Sequence, residues 1–196
     1  MKRCIPAGLL VVSLLLNAGC EKAAMRKDSI EIAEEENKAR ENDSTMNVVR
    51  EDQVAFMVRA ASANMMEVEA GRLAEKLGSN VGVKAFGKSM VNDHTKANQE
   101  LKEIAAAKNI ALPTTVGNED QKYINKLSKL SGPEFDKEYI SMMVKDHRKD
   151  TDHFRRAAKD EEFDPEVRTF AGRTLPVVER HLEKARQLDE AIRKAK

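Results

Sequence analysis

Four long segments of this chain carry apolar residues at alternating spacings of three and four, which places those side chains on one face of an α-helix. The first segment ends at Gly78-Ser79-Asn80 and the second near Asn109. The last two open at Pro133 and at Asp164-Pro165, where proline suits the first turn of a helix. Few segments alternate as β-strands do. The pattern therefore predicts an all-α protein built from four long helices.

Amphipathic helices joined by two short connections and one longer one are typical of a four-helix bundle. We expect an up-down-up-down bundle over residues 48–194, with a short extra helix at about 118–130 between the second and third long helices. At this length, a bundle buries enough surface to be stable without disulfides.

Each of the four apolar stripes carries one polar residue, and these are Glu67, His94, His147 and His181. Counted along an up-down-up-down path, all four lie at a similar depth in the core. A lone histidine on such a stripe is more often a satisfied core residue than a ligand. Four polar groups at one level would either satisfy one another or bind a metal ion.

Neighbouring residues are candidates to support such a site. Asp93 lies at the edge of its helix and can orient a neighbour, and Asn98 faces inward one turn after His94. Glu69 is an alternative inward carboxylate, which would leave Glu67 reaching towards solvent. Asp150 is either a supporting carboxylate or a surface charge, and we interpret His153 as a surface residue.

The charge balance argues against nucleic acid as a partner. The chain has 34 basic and 33 acidic residues, whereas a phosphate-binding surface needs a basic excess or a basic face. Both cysteines, Cys4 and Cys20, lie in the first twenty residues, so the predicted bundle has neither a disulfide nor a thiolate site. No nucleophile elbow, phosphate loop or redox cysteine pair is present.

The amino terminus has the pattern of an export signal. Lys2-Arg3 precedes an apolar run over residues 5–16 that is short for a membrane span. Ala18-Gly19-Cys20 is similar to a bacterial lipobox, although Asn17 stands where leucine is usual. We expect a signal peptide over 1–19, lipidation at Cys20 and a charged, at most partly helical tether over 20–47. The alternative is an ordinary signal peptide that leaves one free thiol.

The spaced motifs resemble the bacterial domain of unknown function 4142. They are Glu67-Val68-Glu69-Ala70-Gly71, Asp93-His94 with Met90 and Asn98, Leu112-Pro113, Ser131-Gly132 with Phe135-Asp136 and Tyr139, His147, and Thr174-Leu175-Pro176 with His181. Asn64 departs from the family, in which glycine is usual there, and we expect the difference to affect packing more than chemistry. The resemblance implies a ferritin-like bundle in a secreted or lipid-anchored envelope protein, and no established activity.

The histidines lack the Glu-x-x-His spacing of ferritin-like di-iron sites, because valine lies three residues before each of them. The predicted ligand set, Glu67 with His94, His147 and His181, fits one divalent ion of Zn, Mn, Fe, Ni or Cu better than a di-iron centre. We expect a periplasm-facing lipoprotein, on the outer membrane rather than the inner, with a structural, interaction or metal-binding role. A protein partner or homo-oligomer fits an interaction role, and the alternative is a mononuclear metal-binding protein or metal-dependent oxidoreductase.

Overall fold

The computed structural model describes residues 27–41 and 50–195 of the chain. These residues form six α-helices and no strand, which confirms the all-α prediction. The helices are α1 Ser29–Glu41, α2 Glu51–Leu77, α3 Val81–Ala107, α4 Asn118–Leu127, α5 Gly132–Lys159 and α6 Pro165–Lys194. None of the described helices is both long enough and apolar enough to span a bilayer.

The helices begin and end where the sequence breaks the apolar pattern. The side chain of Asn80 caps α3 by accepting from the amides of Gly82 and Val83. Asp164 caps α6 by accepting from the amide of Glu166, and Pro165 occupies the first turn. Gly132 opens α5 with a φ of 62°, a value that favours glycine.

The four long helices form a bundle of two antiparallel hairpins. Helices α2 and α3 pack along each other as one hairpin, and α5 and α6 pack as the other. The hairpins meet through α2 against α5 and α3 against α6. Each long helix therefore contributes one face to a shared core.

The direction of the third long helix differs from the predicted up-down-up-down path. The buried carboxylate of Asp136, near the start of α5, accepts hydrogen bonds from the amides of Ser79 and Asn80 in the α2–α3 turn. At the other end, the side chain of Gln53 accepts from the amide of Asp164. Helix α5 therefore runs parallel to α3, and the path is up-down-down-up. The connection at 108–131, which contains α4, crosses the length of the bundle.

Helix α1 packs on this crossover connection. The side-chain amide of Asn37 donates to the carbonyl of Ala111 and accepts from its amide, at 2.9 and 2.7 Å. The hydroxyl of Ser29 accepts from the amides of Thr114 and Thr115. Part of the segment predicted as a tether is thus a docked helix. The predicted signal peptide and Cys20 lie outside the described residues.

The core consists of two apolar clusters with a polar layer between them. One cluster lies towards the α2–α3 turn and includes Phe86, Phe135 and Tyr139. The other lies towards the α5–α6 turn and includes Phe154 and Phe170. The buried side chains that separate them, called the polar layer here, are Asn64, Glu67, His94, His147 and His181.

Two glycines bring α2 and α3 into close contact next to this layer. A Cβ atom on Gly71 would lie 2.7 Å from the carbonyl oxygen of Gly87, and one on Gly87 would lie 2.7 Å from that of Gly71. Backbone that approaches this closely leaves no space for a side chain. The contact fixes the separation of α2 and α3 on which Glu67 and His94 depend.

Candidate metal centre

The three predicted histidines meet inside the bundle as a compact triangle. Ring centroids of His94, His147 and His181 lie 5.6, 5.2 and 5.4 Å apart in the three pairings. One ring nitrogen of each lies within 4.8 Å of the other two. Their exposed fractions are 4%, 0% and 5%. We call these three residues the tri-histidine cluster.

The cluster forms although the predicted direction of α5 is wrong. His94 and His147 lie near the middle of α3 and α5, so counting from either end gives a similar depth. Glu67 and His181 also lie well inside α2 and α6. Reversing a helix about its midpoint leaves a central residue at the same level.

His94 is oriented by two residues of α2. Its Nδ1 lies 2.8 Å from Oε2 of Glu67 and 2.9 Å from Oδ1 of Asn64. Because an amide oxygen can only accept, the ring proton belongs on Nδ1. The unprotonated Nε2 then faces Nδ1 of His181 at 3.3 Å.

His181 is oriented from the α3 side of the bundle. Its Nε2 donates to Oδ2 of Asp93 at 3.0 Å, and the Asp93 side chain is 36% exposed. The ring of Phe86 packs edge-on against the imidazole. A histidine whose outer nitrogen is held by a carboxylate presents its other nitrogen as a fixed, more basic donor.

His147 completes the set with a nitrogen that has no hydrogen-bond partner. Its Nδ1 donates to the carbonyl of Met143 at 3.1 Å. Its Nε2 is buried and, within the described part of the chain, forms no hydrogen bond. A buried nitrogen with no partner costs free energy, and a bound cation would remove that cost.

The three rings therefore share one arrangement, in which one nitrogen of each is tied to an acceptor and the other is unprotonated. The unprotonated set is Nε2 of His94, Nε2 of His147 and Nδ1 of His181. Two imidazole nitrogens bound to one tetrahedral ion at about 2.0–2.1 Å lie about 3.3 Å apart. The separation of 3.3 Å between His94 and His181 fits that value.

The electrostatics of the polar layer keep the imidazoles neutral. Burial lowers the pKa of His94 to about 4, and burial together with His94 lowers the pKa of His181 to about 4. Burial lowers the pKa of His147 well below its ordinary value and raises that of Glu67 well above. With His94 uncharged, the close contact of its Nδ1 with Oε2 of Glu67 is a hydrogen bond and not an ion pair. Neutral imidazole is the form that binds metals.

Comparison with protein families gives one match, which includes every residue of the polar layer. The family model of a domain of unknown function (DUF4142) matches residues 37–188. The chain belongs to the DUF4142 family. No curated protein matches the chain, and no solved structure matches it.

A second group of possible ligands in this DUF4142 domain lies on the α2–α5 side of the cluster. One ligand atom each of Glu67, His147 and Asp150 lie within 4.8 Å of one another. Burial raises the pKa of Asp150 well above its ordinary value, and the nearby Glu67 raises it further. Asp150 therefore adjoins the polar layer.

The other predicted supporting residues of the DUF4142 chain differ in their positions. Asp93 contacts His181, as an orienting residue would. Glu69 is exposed and lies outside the cluster. Asn98 is half-buried, and its Oδ1 has no hydrogen-bond partner among the described residues. His153 is half-buried and is not part of either ligand group.

One residue of the DUF4142 site was missed by the sequence reasoning. We expected Asn64 to affect packing, but its side chain contacts the ring of His94. Asn64 lies three residues before Glu67, and residues at that spacing share a helix face. That spacing is the signal that could have identified it.

Proposed function

We propose that this protein binds one divalent transition metal ion through the tri-histidine cluster. The ligands are Nε2 of His94, Nε2 of His147 and Nδ1 of His181. The observation that carries the proposal is that one ring nitrogen of each histidine lies within 4.8 Å of the other two, while one nitrogen of each ring is tied to an acceptor. Ligands oriented in advance bind without a large ordering cost.

Nitrogen donors determine which ions fit. Three neutral imidazoles suit Zn²⁺, Cu²⁺ and Ni²⁺, whereas Mg²⁺ and Ca²⁺ prefer oxygen donors. Three protein ligands leave a fourth tetrahedral position for water or another small ligand. Glu67, predicted as a ligand, is in this proposal the residue that holds His94 in place, because its Oε2 faces the Nδ1 side of that ring.

The chain offers a matched control for testing metal binding. His181→Ala removes one proposed ligand, and His153→Ala removes the one histidine that lies outside the cluster. We expect the purified wild-type protein and His153→Ala to bind about one equivalent of Zn²⁺, with a higher melting temperature. His181→Ala should lose both effects. Less than about a tenth of an equivalent of any metal, with no thermal shift, would reject the proposal.

A second candidate function is structural, and a chain of contacts favours it. Glu67, His94, His181 and Asp93 form successive contacts of 2.8, 3.3 and 3.0 Å across the bundle. A buried polar network of this kind can fix the register of packed helices. In that role, His94→Ala would lower the melting temperature of metal-free protein. If His94→Ala abolishes metal binding and leaves the metal-free melting curve unchanged, the structural role is excluded.

We further propose that Cys20 is lipidated and holds the bundle on the periplasmic side of the outer membrane. The lipobox-like residues Ala18-Gly19-Cys20 support this proposal. Cys20→Ser should abolish incorporation of a labelled fatty acid and release the protein from the membrane fraction. Cys4→Ser, which removes the other cysteine, should change neither result. Equal labelling of wild type and Cys20→Ser would contradict lipidation at Cys20.

A further inference from the structure

One oxygen of Glu67 has no role in orienting His94. While Oε2 lies against His94, Oε1 is buried and, within the described residues, accepts no hydrogen bond. Nδ1 of His147 lies 3.4 Å from Oε1 and donates its proton to the carbonyl of Met143 instead. A buried carboxylate oxygen without a donor is costly.

Asp150 brings a second carboxylate close to Glu67. It lies one helical turn after His147 on α5, and its ligand atom is within 4.8 Å of those of Glu67 and His147. Two carboxylates this close and this little hydrated repel each other unless a proton or a cation lies between them. Asp150 is only half-buried, so solvent reaches this residue and can supply water ligands to a cation.

Two more acidic residues, Asp146 and Asp120, lie near this pair. Asp146 and Asp120 are half-buried, and the negative charge of each acts on Glu67. The positive charge of Lys149 opposes these negative charges at Asp150. Because the Lys149 side chain is exposed, it offsets little of the negative potential.

We propose that Glu67 and Asp150 bind a second, hard divalent cation beside the tri-histidine metal. The inference extends the proposed function. It rests on that function because Glu67 and His147 lie next to both proposed metal sites. Carboxylate oxygens and water are the donors that Mn²⁺ and Mg²⁺ prefer, in contrast to the imidazole donors of the first site. The two sites therefore differ in the ions they select.

Mn²⁺ titration of the purified, Zn²⁺-loaded protein, followed by the electron paramagnetic resonance signal of free Mn²⁺, tests this site. We expect wild type to bind about one equivalent, and Asp150→Asn to lower Mn²⁺ affinity at least about tenfold. Asp152→Asn is the control, because the Asp152 side chain is exposed and pairs with Arg155. Zn²⁺ content should be the same in all three proteins.

The outcomes separate the two proposals. If Zn²⁺ loads but wild type binds no Mn²⁺ at about 1 mM, or Asp150→Asn binds it as tightly as wild type, the second site is rejected. If Zn²⁺ does not load, the same titration is run on metal-free protein. Mn²⁺ binding that depends on Asp150 would then support the second site while the tri-histidine proposal fails. Binding that is unaffected by Asp150→Asn would overturn the second site.

Discussion

Nε2 of His94 lies 3.3 Å from Nδ1 of His181, although both nitrogens are unprotonated when the outer nitrogens of the two rings donate to Asn64 and Asp93. Two lone pairs facing each other in a buried site repel, and a cation between them reverses the sign of the interaction. The relationship supports the proposal that the polar layer holds a metal ion over the alternative of a hydrogen-bond network alone.

Removing the carboxylate that orients His181 should weaken metal binding without unfolding the protein. Asp93→Ala leaves Nε2 of His181 without its acceptor, so the ring loses its fixed orientation. We expect Zn²⁺ affinity to fall about 10- to 100-fold, measured by competition with a chelator. Asp152→Ala should bind Zn²⁺ as wild type does. An unchanged affinity in Asp93→Ala would show that Asp93 does not support the site.

The close approach of α2 and α3 should not tolerate a side chain. Gly71→Ala places a methyl group against the carbonyl oxygen of Gly87, and we expect it to destabilise the protein by about 1–3 kcal/mol in urea unfolding. Gly172→Ala is the matched control, because its Cβ would meet only Ala158 Cβ at 4.0 Å. Because alanine lowers the conformational entropy of the unfolded chain, Gly172→Ala should be more stable than wild type by about 0.4–1 kcal/mol. Equal changes in the free energy of unfolding for Gly71→Ala and Gly172→Ala would contradict the close approach of α2 and α3.

The attachment of α5 to the α2–α3 turn should depend on Asp136. Asp136→Ala leaves the amides of Ser79 and Asn80 without their acceptor, at a cost of more than about 2 kcal/mol. Asn80→Ala, which removes only a helix cap, should cost about 1 kcal/mol. Urea unfolding measures both. A smaller loss in Asp136→Ala than in Asn80→Ala would argue against this attachment and the up-down-down-up path.

The stability of metal-free protein should depend on pH through His181. Its pKa is about 4 in the folded protein and about 6.5 in the unfolded chain, so between these values the unfolded chain binds more protons. The contribution of His181 to the free energy of unfolding is fully present above about pH 6.5 and is lost as the pH falls towards about 4. Glu67 and Asp150 have raised pKa values, so their contributions to stability fall as pH rises and oppose that of His181. The pH dependence of wild-type stability therefore does not by itself isolate the effect of His181.

Comparison of wild type with His181→Gln isolates the contribution of His181 to the pH dependence of stability. The difference in free energy of unfolding between wild type and His181→Gln should rise with pH from about 4 to about 6.5 and then level off. A difference that is constant over this range would show that His181 keeps its ordinary pKa in the folded protein.

The sequence was sufficient to predict the four long helices, the short helix α4 and the four polar stripe residues, because helix periodicity and breaking residues are local properties. It did not predict the direction of α5, since a connection of this length permits either direction and the choice depends on Asp136 reaching the α2–α3 turn. The histidines still converge because they lie near the middle of their helices.

Side-chain roles within the layer were less predictable. The spacing that placed Glu67 inside could not indicate that its oxygens face Nδ1 of His94 and of His147. The docking of α1 was missed because its composition is charged and Ala33 is its one buried residue, while its hydrogen bonds to the crossover connection are made by the polar groups of Asn37 and Ser29. Such contacts leave no periodic apolar pattern.

X-ray absorption spectroscopy of the Zn²⁺-loaded protein tests the central claim most directly. We expect three imidazole nitrogens at about 2.0–2.1 Å from the metal, and two in His147→Ala. A spectrum dominated by oxygen ligands, or one that His147→Ala leaves unchanged, would contradict a tri-histidine metal centre.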